Sequence, residues 1–194
     1  AGEASGDFHG ANLVRSMLSR DPQIDFYGMG GSRMRSAGVE LIADAGEVAV
    51  VGLTDVIARF GVIMGVMNSL RKKMKEARPA LLILIDYPGF NLRLAKSAKS
   101  LGIKIYYYIT PKVWAWGKGR IKIIRDSVDK LGVIFPFEEK LFRDEGVDAV
   151  FVGHPLLDDV KRKYSTDDAC RKFGVDAKQI KIALLPGSRN SEIT

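Results

Sequence analysis

The fold is decided by one stretch, Leu81-Leu82-Ile83-Leu84-Ile85-Asp86-Tyr87-Pro88-Gly89-Phe90-Asn91. Five consecutive large aliphatic residues with no polar alternation describe a strand buried on both faces, the pattern of a parallel sheet. Asp86 ends the run, Tyr87-Pro88 turns the chain, and a helical pattern follows over residues 92–101, closed by Gly102. This is one strand–turn–helix unit with a carboxylate at the carboxyl edge of the strand, the edge where doubly wound sheets bind ligands.

The same alternation continues on both sides. Downstream, strands are expected over 103–109, 131–135 and 149–152. Helices are expected over 121–128 and 136–145, the second with Pro136 in its first turn and Gly146 at its end. Upstream, Leu13, Val14, Met17 and Leu18 mark an amphipathic helix with Asp7 as a candidate cap. Phe26-Tyr27-Gly28-Met29 is a short strand, and Ser32 is a candidate cap for a helix ending near Gly38. A long helix over 53–77 is broken or kinked near Gly61. The class is α/β, with a Rossmann-like, doubly wound, mainly parallel sheet. After Gly153 the pattern changes to a charged run, a cap at Ser165 and a new strand over 182–185. The expected organisation is a domain over 1–155, a linker region over 156–178 and the start of a second domain over 179–194. Both ends read as cuts through a longer chain.

The 194 residues are 46% hydrophobic and 27% charged, which excludes wholesale disorder. No apolar run is long enough to span a bilayer. The single cysteine, Cys170, cannot form an internal disulfide and fits a reducing compartment. A net charge of +7 suits a phosphorylated substrate, an anionic membrane or nucleic acid, and equally a basic soluble protein. No Cys/His spacing suggests a metal site.

Five stretches carry candidate chemistry, each with a structural alternative. Gly2-Glu3-Ala4-Ser5-Gly6-Asp7 lets a ligand approach the backbone at a helix start, or is a tight turn with a cap. Asp86 is a partly desolvated general base, or the cap of the helix after Pro88. The loop from Thr110 to Arg120 interleaves Trp114 and Trp116 with Lys112, Lys118 and Arg120, which suits sugars, phosphates or stacked bases, or a core with solvated charges. His154, between Gly153 and Pro155, contacts a ligand at the hinge or cleft, or is a structural hydrogen-bonding residue. Pro186-Gly187-Ser188-Arg189 is a diphosphate receptor or an ordinary turn. Separately, Leu53, Val56, Ile57, Phe60, Ile63, Met64 and Met67 recur at helical spacing ahead of Arg71, Lys72, Lys73 and Lys75. Such a helix lies in a membrane interface or faces a core.

Taken in order, Ala1-Gly2-Glu3-Ala4-Ser5-Gly6-Asp7, Gly28-Met29-Gly30-Gly31, Ile85-Asp86-Tyr87-Pro88-Gly89-Phe90-Asn91, Val113-Trp114-Ala115-Trp116, Pro136-Phe137-Glu138, Val152-Gly153-His154-Pro155 and the run from Leu184 to Glu192 resemble the lipid-A-disaccharide synthase family. The resemblance covers essentially the whole chain. It implies the N-terminal half of a GT-B glycosyltransferase whose second domain is truncated. The reaction implied is an inverting one that joins UDP-2,3-diacylglucosamine to 2,3-diacylglucosamine 1-phosphate and releases UDP. No cofactor or metal is implied, and nucleic acid is not an implied partner.

By the same resemblance, Asp86 is the base that deprotonates the acceptor hydroxyl. Glu3, Ser5, Gly6, Asp7, Asn91, Trp114 and Trp116 shape the acceptor side, and Gly187, Ser188 and Arg189 meet the donor. The stripe from Leu53 to Met67 touches the bilayer. The location implied is cytoplasmic and peripheral, on the cytoplasmic face of an inner membrane, with homodimer contacts in the missing C-terminal domain. One departure is Gly89, where the family often has a second aspartate. Other UDP-sugar transferases and epimerases of the same fold are the rival enzymes, and a nucleic-acid-binding module is the rival of another class.

Overall fold

The computed structural model describes residues 1–48, 60–114, 119–159, 163–176 and 178–185. It divides into two compact units, Ala1–Pro155 and Leu156–Thr194.

In the first unit the elements run α1 (Ala4–Leu18), β1 (Phe26–Gly30), α2 (Ser32–Ser36), β2 (Val39–Asp44), α3 (Ala45–Val48) and α4 (Phe60–Ala77). They continue β3 (Leu81–Ile85), α5 (Pro88–Ser100), β4 (Lys104–Tyr108), α6 (Gly119–Ser127), β5 (Lys130–Val133), α7 (Pro136–Asp144) and β6 (Ala149–Phe151). Every strand pair is parallel, and helices form the crossovers, as the alternating sequence requires.

The described strands form two sheets rather than one: β1-β2, and a four-stranded sheet in the order β3-β4-β5-β6. β1 and β3 are not bonded to each other. A cavity of about 1060 Å³ lies between them, and Ala1 reaches across to donate its N–H to the Met29 carbonyl at 3.0 Å. β2 carries no strand signal comparable to the run ending at Ile85. Its period is irregular, and its register on β1 shifts between Gly28 and Met29. β3 is buried only toward its carboxyl end: Leu84 and Ile85 lie inside, while Leu81 is exposed.

The main core collects Tyr107, Leu131, Val133, Phe142 and Ala149 from the second sheet and its helices. Met67, Leu70 and Met74 join it from α4, and Leu92, Ala95 and Ala98 from α5. A smaller core of Ala11, Val14, Met34, Ala37 and Val39 holds α1 and α2 against the first sheet.

In the second unit, α8 (Leu156–Asp159) and α9 (Thr166–Phe173) are the described elements. Ser165 caps α9 through its hydroxyl, which accepts from the Asp168 N–H, and Gly174 closes it in the left-handed region at φ 65°. The strand expected over 182–185 does not form. A strand is defined by ladder partners; none pairs with these residues among those described, and Ile182, Leu184 and Leu185 are almost fully exposed.

Candidate functional site

β3 delivers the chain into two consecutive left-handed residues, Asp86 and Tyr87, both at φ 46°. At β-carbon-bearing residues this backbone costs about 1–2 kcal/mol each and persists only where the surroundings hold it. Here they do. The Asp86 N–H donates to the Ile109 carbonyl at 3.2 Å and, more weakly, to Tyr108 at 3.4 Å. The Asp86 carbonyl accepts from the Tyr107 hydroxyl at 2.7 Å and the Asn91 amide at 2.6 Å. The Asn91 amide also donates to the Ile85 carbonyl at 3.1 Å. Burial pushes the Tyr107 phenol far above its ordinary range, so it remains a donor at any working pH.

The cap of α5 is Tyr87, with no side-chain cap bond. The capping alternative for Asp86 is therefore removed, and its carboxylate is displayed on a clamped, strained backbone. Burial pushes that carboxyl above the usual range, against the Tyr87 N–H and the charges of Lys112 and His9, which pull it down.

Asp86 opens on a cleft of about 230 Å³ together with Pro88, Ile109, Thr110, Pro111, Lys112, Arg120, Ile134, Phe135 and Glu138. These residues come from the turns after β3, β4 and β5 and from the first turns of the helices α5, α6 and α7 that follow. β4 ends, like β3, in strain: Ile109, a β-branched residue, sits at φ 57°. The loop beyond alternates in burial. Thr110, Pro111 and Val113 turn inward, and Lys112 and Trp114 turn out.

Glu138 forms the floor of the cleft. Its carboxylate is buried at 1% exposure and accepts from Trp114 Nε1 and from the Phe135 N–H, each at 3.1 Å. Trp114 meets Phe137 edge-on at 5.5 Å, Phe137 stacks on Phe135 at 5.8 Å, and Phe135 meets His154 edge-on at 5.6 Å. His154 is thus one ring away from the cleft.

The Gly2–Asp7 loop is built differently from its expectation. α1 starts at Ala4 with Glu3 as cap, so Asp7 is not its cap. Asp7 instead caps α2 from a distance: its carboxylate accepts from the N–H groups of Gly31 at 2.7 Å, Met34 at 3.0 Å and Arg33 at 3.1 Å. This is also the correction for Ser32, since the α2 cap position is Gly31. A β-carbon on Gly31 would stand 2.8 Å from the Asp7 carboxylate, so glycine is required there. Both Asp7 oxygens are taken up by backbone, which makes it a joint between α1 and α2. Asn91 is likewise buried and committed to backbone carbonyls. Both act by positioning. Glu3 and Ser5 remain exposed, while Gly6 is buried. Gly2 packs on the Tyr87 ring, where a side chain would collide.

On α4, Phe60 is 56% exposed and Val62, absent from the expected stripe, is also exposed. Ile63 and Met64 are half-buried. Met67 is 2% exposed and belongs to the core, so it is removed from the apolar surface. No described helix is long and apolar enough to cross a membrane. Leu53, Val56, Ile57, Trp116, Gly187, Ser188 and Arg189 lie outside the described residues.

Sequence reasoning missed Tyr107 and His9 as parts of the site, and gave no role to Thr110, in a candidate loop, or to Glu138, in a quoted motif. Glu138 was readable, because Phe135-Pro136-Phe137-Glu138 places a Glu three residues after a helix cap. Tyr107 was not, because Tyr106, Tyr107 and Tyr108 are chemically alike and only the sheet shows which one points inward.

The family model for lipid-A-disaccharide synthetase matches residues 1–194. The chain is 55% identical over 194 residues to the lipid-A-disaccharide synthase of Syntrophus aciditrophicus, covering 100% of this chain and 51% of that protein. It is 50% identical over 193 residues to that of Geobacter sulfurreducens, with 100% and 50% covered. It is 47% identical over 193 residues to that of Coxiella burnetii (strain RSA 331), with 100% and 51% covered. The chain spans about half the length of the curated relatives it matches. With the match running through Asp86, Trp114 and His154 alike, the chain belongs to the lipid-A-disaccharide synthetase family.

Proposed function

We propose that this chain is the acceptor-binding half of an inverting glycosyltransferase of lipid A biosynthesis. Asp86 removes the proton from the 6-hydroxyl of 2,3-diacylglucosamine 1-phosphate. The freed oxygen attacks the anomeric carbon of UDP-2,3-diacylglucosamine as the bond to UDP breaks, and the configuration inverts. A direct displacement needs one base and no covalent intermediate, so the Gly89 departure removes nothing essential.

The observation that carries this reading is Asp86: a half-buried carboxylate on a left-handed backbone, clamped through both its N–H and its carbonyl, facing a cleft. Strain of this kind collects at functional sites. Trp114 and the aromatic row beside it offer apolar faces for a sugar ring. In this reading Gly187, Ser188 and Arg189 meet the donor diphosphate, where the arginine offsets the charge on the departing UDP.

The exposed Phe60 and Val62 at the start of α4, with Lys72 and Lys75 exposed further along it, suit peripheral contact with an anionic cytoplasmic membrane face. The test of the reaction is UDP release by the full-length enzyme. It is expected only when both lipids are present. Equal release without the acceptor, or none with both lipids present, contradicts the reading.

A further inference from the structure

The Asp86 cleft holds more positive charge than proton transfer needs. Lys112 and Arg120 both line it. Neither makes an ion pair or hydrogen bond with a described residue. A third group lies two residues before Lys112. Thr110 is 6% exposed, lines the same cleft, and its Oγ1 is buried with no hydrogen-bond partner among the described residues. Buried hydroxyls are nearly always hydrogen-bonded, so one that lines a cleft without a partner is a place where a ligand can supply the missing bond.

The backbone is strained to put it there: Ile109 turns through φ 57° as the chain leaves β4, delivering Thr110 to the cleft and Lys112 to its rim. Neither carboxylate of the cleft makes an ion pair with these cations. Glu138 has both oxygens engaged, by Trp114 and by the Phe135 N–H. Asp86 stands across the cleft as the base.

We infer that Lys112, Arg120 and Thr110 form a phosphomonoester subsite, which holds the anomeric phosphate of the acceptor sugar while its far hydroxyl faces Asp86. A guanidinium and an ammonium supply charge-assisted bonds, and the hydroxyl supplies a neutral donor that fits a phosphate oxygen. A hexose carrying phosphate at one end and its reacting hydroxyl at the other would be registered by such a site, so one contact sets both affinity and regiochemistry. The subsite has a second effect. A phosphate beside Lys112 offsets the positive charge that favours the ionised form of Asp86, so binding the correct acceptor strengthens the base.

The assignment to the acceptor's phosphate rests on the transferase reading above. The same anion chemistry is also carried by the donor's diphosphate and by membrane headgroups, so the test separates them. The full-length enzyme is assayed for UDP release in neutral mixed micelles with two acceptors, diacylglucosamine 1-phosphate and its dephosphorylated analogue. The variants are Lys112→Gln, Arg120→Gln and Thr110→Val, the first two at exposed positions that do not threaten folding. The ratio of kcat/KM for the phosphorylated over the dephosphorylated acceptor is expected to fall about 10- to 100-fold in Arg120→Gln and Lys112→Gln, with UDP inhibition within about twofold of wild type. An unchanged ratio in both variants overturns the proposal, as does a loss of UDP affinity matching the loss of rate.

In parallel, calorimetric titration with glucosamine 1-phosphate is expected to show binding to the wild type and at least tenfold weaker binding to the variant that combines Lys112→Gln with Arg120→Gln. Equal binding to the two overturns the proposal. An enzyme that binds glucosamine 1-phosphate through these residues but releases no UDP contradicts the transferase reading and supports the anion subsite. One that releases UDP with an unchanged ratio does the reverse.

Discussion

Asp86 brings the opposing terms of the site together in one residue. Removal from water favours its neutral acid, while the Tyr87 N–H, Lys112 and His9 favour the carboxylate; burial dominates and the pKa rises. A base must be ionised to act. The acid limb of the pH–rate profile for the full-length enzyme is therefore expected clearly above the ordinary aspartate value of about 4, and a limb at or below that value contradicts the assignment. The stability sign follows from the same shift. The folded-state pKa lies above the unfolded one, so the Asp86 contribution falls as pH rises through the folded value. Asp86→Asn is then at least as stable as wild type near neutral pH, and Asn tolerates the left-handed backbone well. The position of Asp86 was legible because a carboxylate ends an apolar strand. The inward orientation of its neighbours Thr110 and Tyr107 was not, since it depends on a β4 register and a strained turn that no local pattern encodes.

Among the elements, the joint between α1 and α2 shows how a residue that reads as a ligand contact can be structural. Asp7 lies in the first turn of α1, yet it binds three N–H groups at the start of α2, which is too short to cap itself well. Asp7→Ala leaves those three donors, one of them buried, without their acceptor and is expected to destabilise the full-length protein by on the order of 2–4 kcal/mol. Urea unfolding checks this: the midpoint should fall with little change in slope, and a loss below about 0.5 kcal/mol contradicts the role. Parallel strands joined by helices were readable from the alternation of periods. β2 was not, because Val39-Glu40-Leu41-Ile42-Ala43-Asp44 neither alternates strictly nor runs continuously apolar, and it gains meaning only when laid beside β1. Residues 182–185 failed in the opposite direction: an apolar run becomes a strand only when a sheet receives it, and none among the described residues does.

Viewed whole, the first unit carries two different features on the same fold, a strained cleft with charged residues at the carboxyl ends of the second sheet and an exposed apolar start to α4. Phe60 and Val62 are expected to anchor the full-length enzyme to anionic vesicles. Phe60→Ser with Val62→Ser should weaken co-sedimentation roughly tenfold or more, from the apolar area returned to water, and unchanged binding contradicts the contact. The central claim, that Asp86 is the base of a glycosyl transfer, is tested most directly by UDP release from full-length wild type and Asp86→Asn with both lipids present. A variant that folds, still binds UDP and glucosamine 1-phosphate, and loses about 10²- to 10⁴-fold in kcat is the result expected of a general base. A folded variant that keeps most of the wild-type rate contradicts it and puts the base elsewhere.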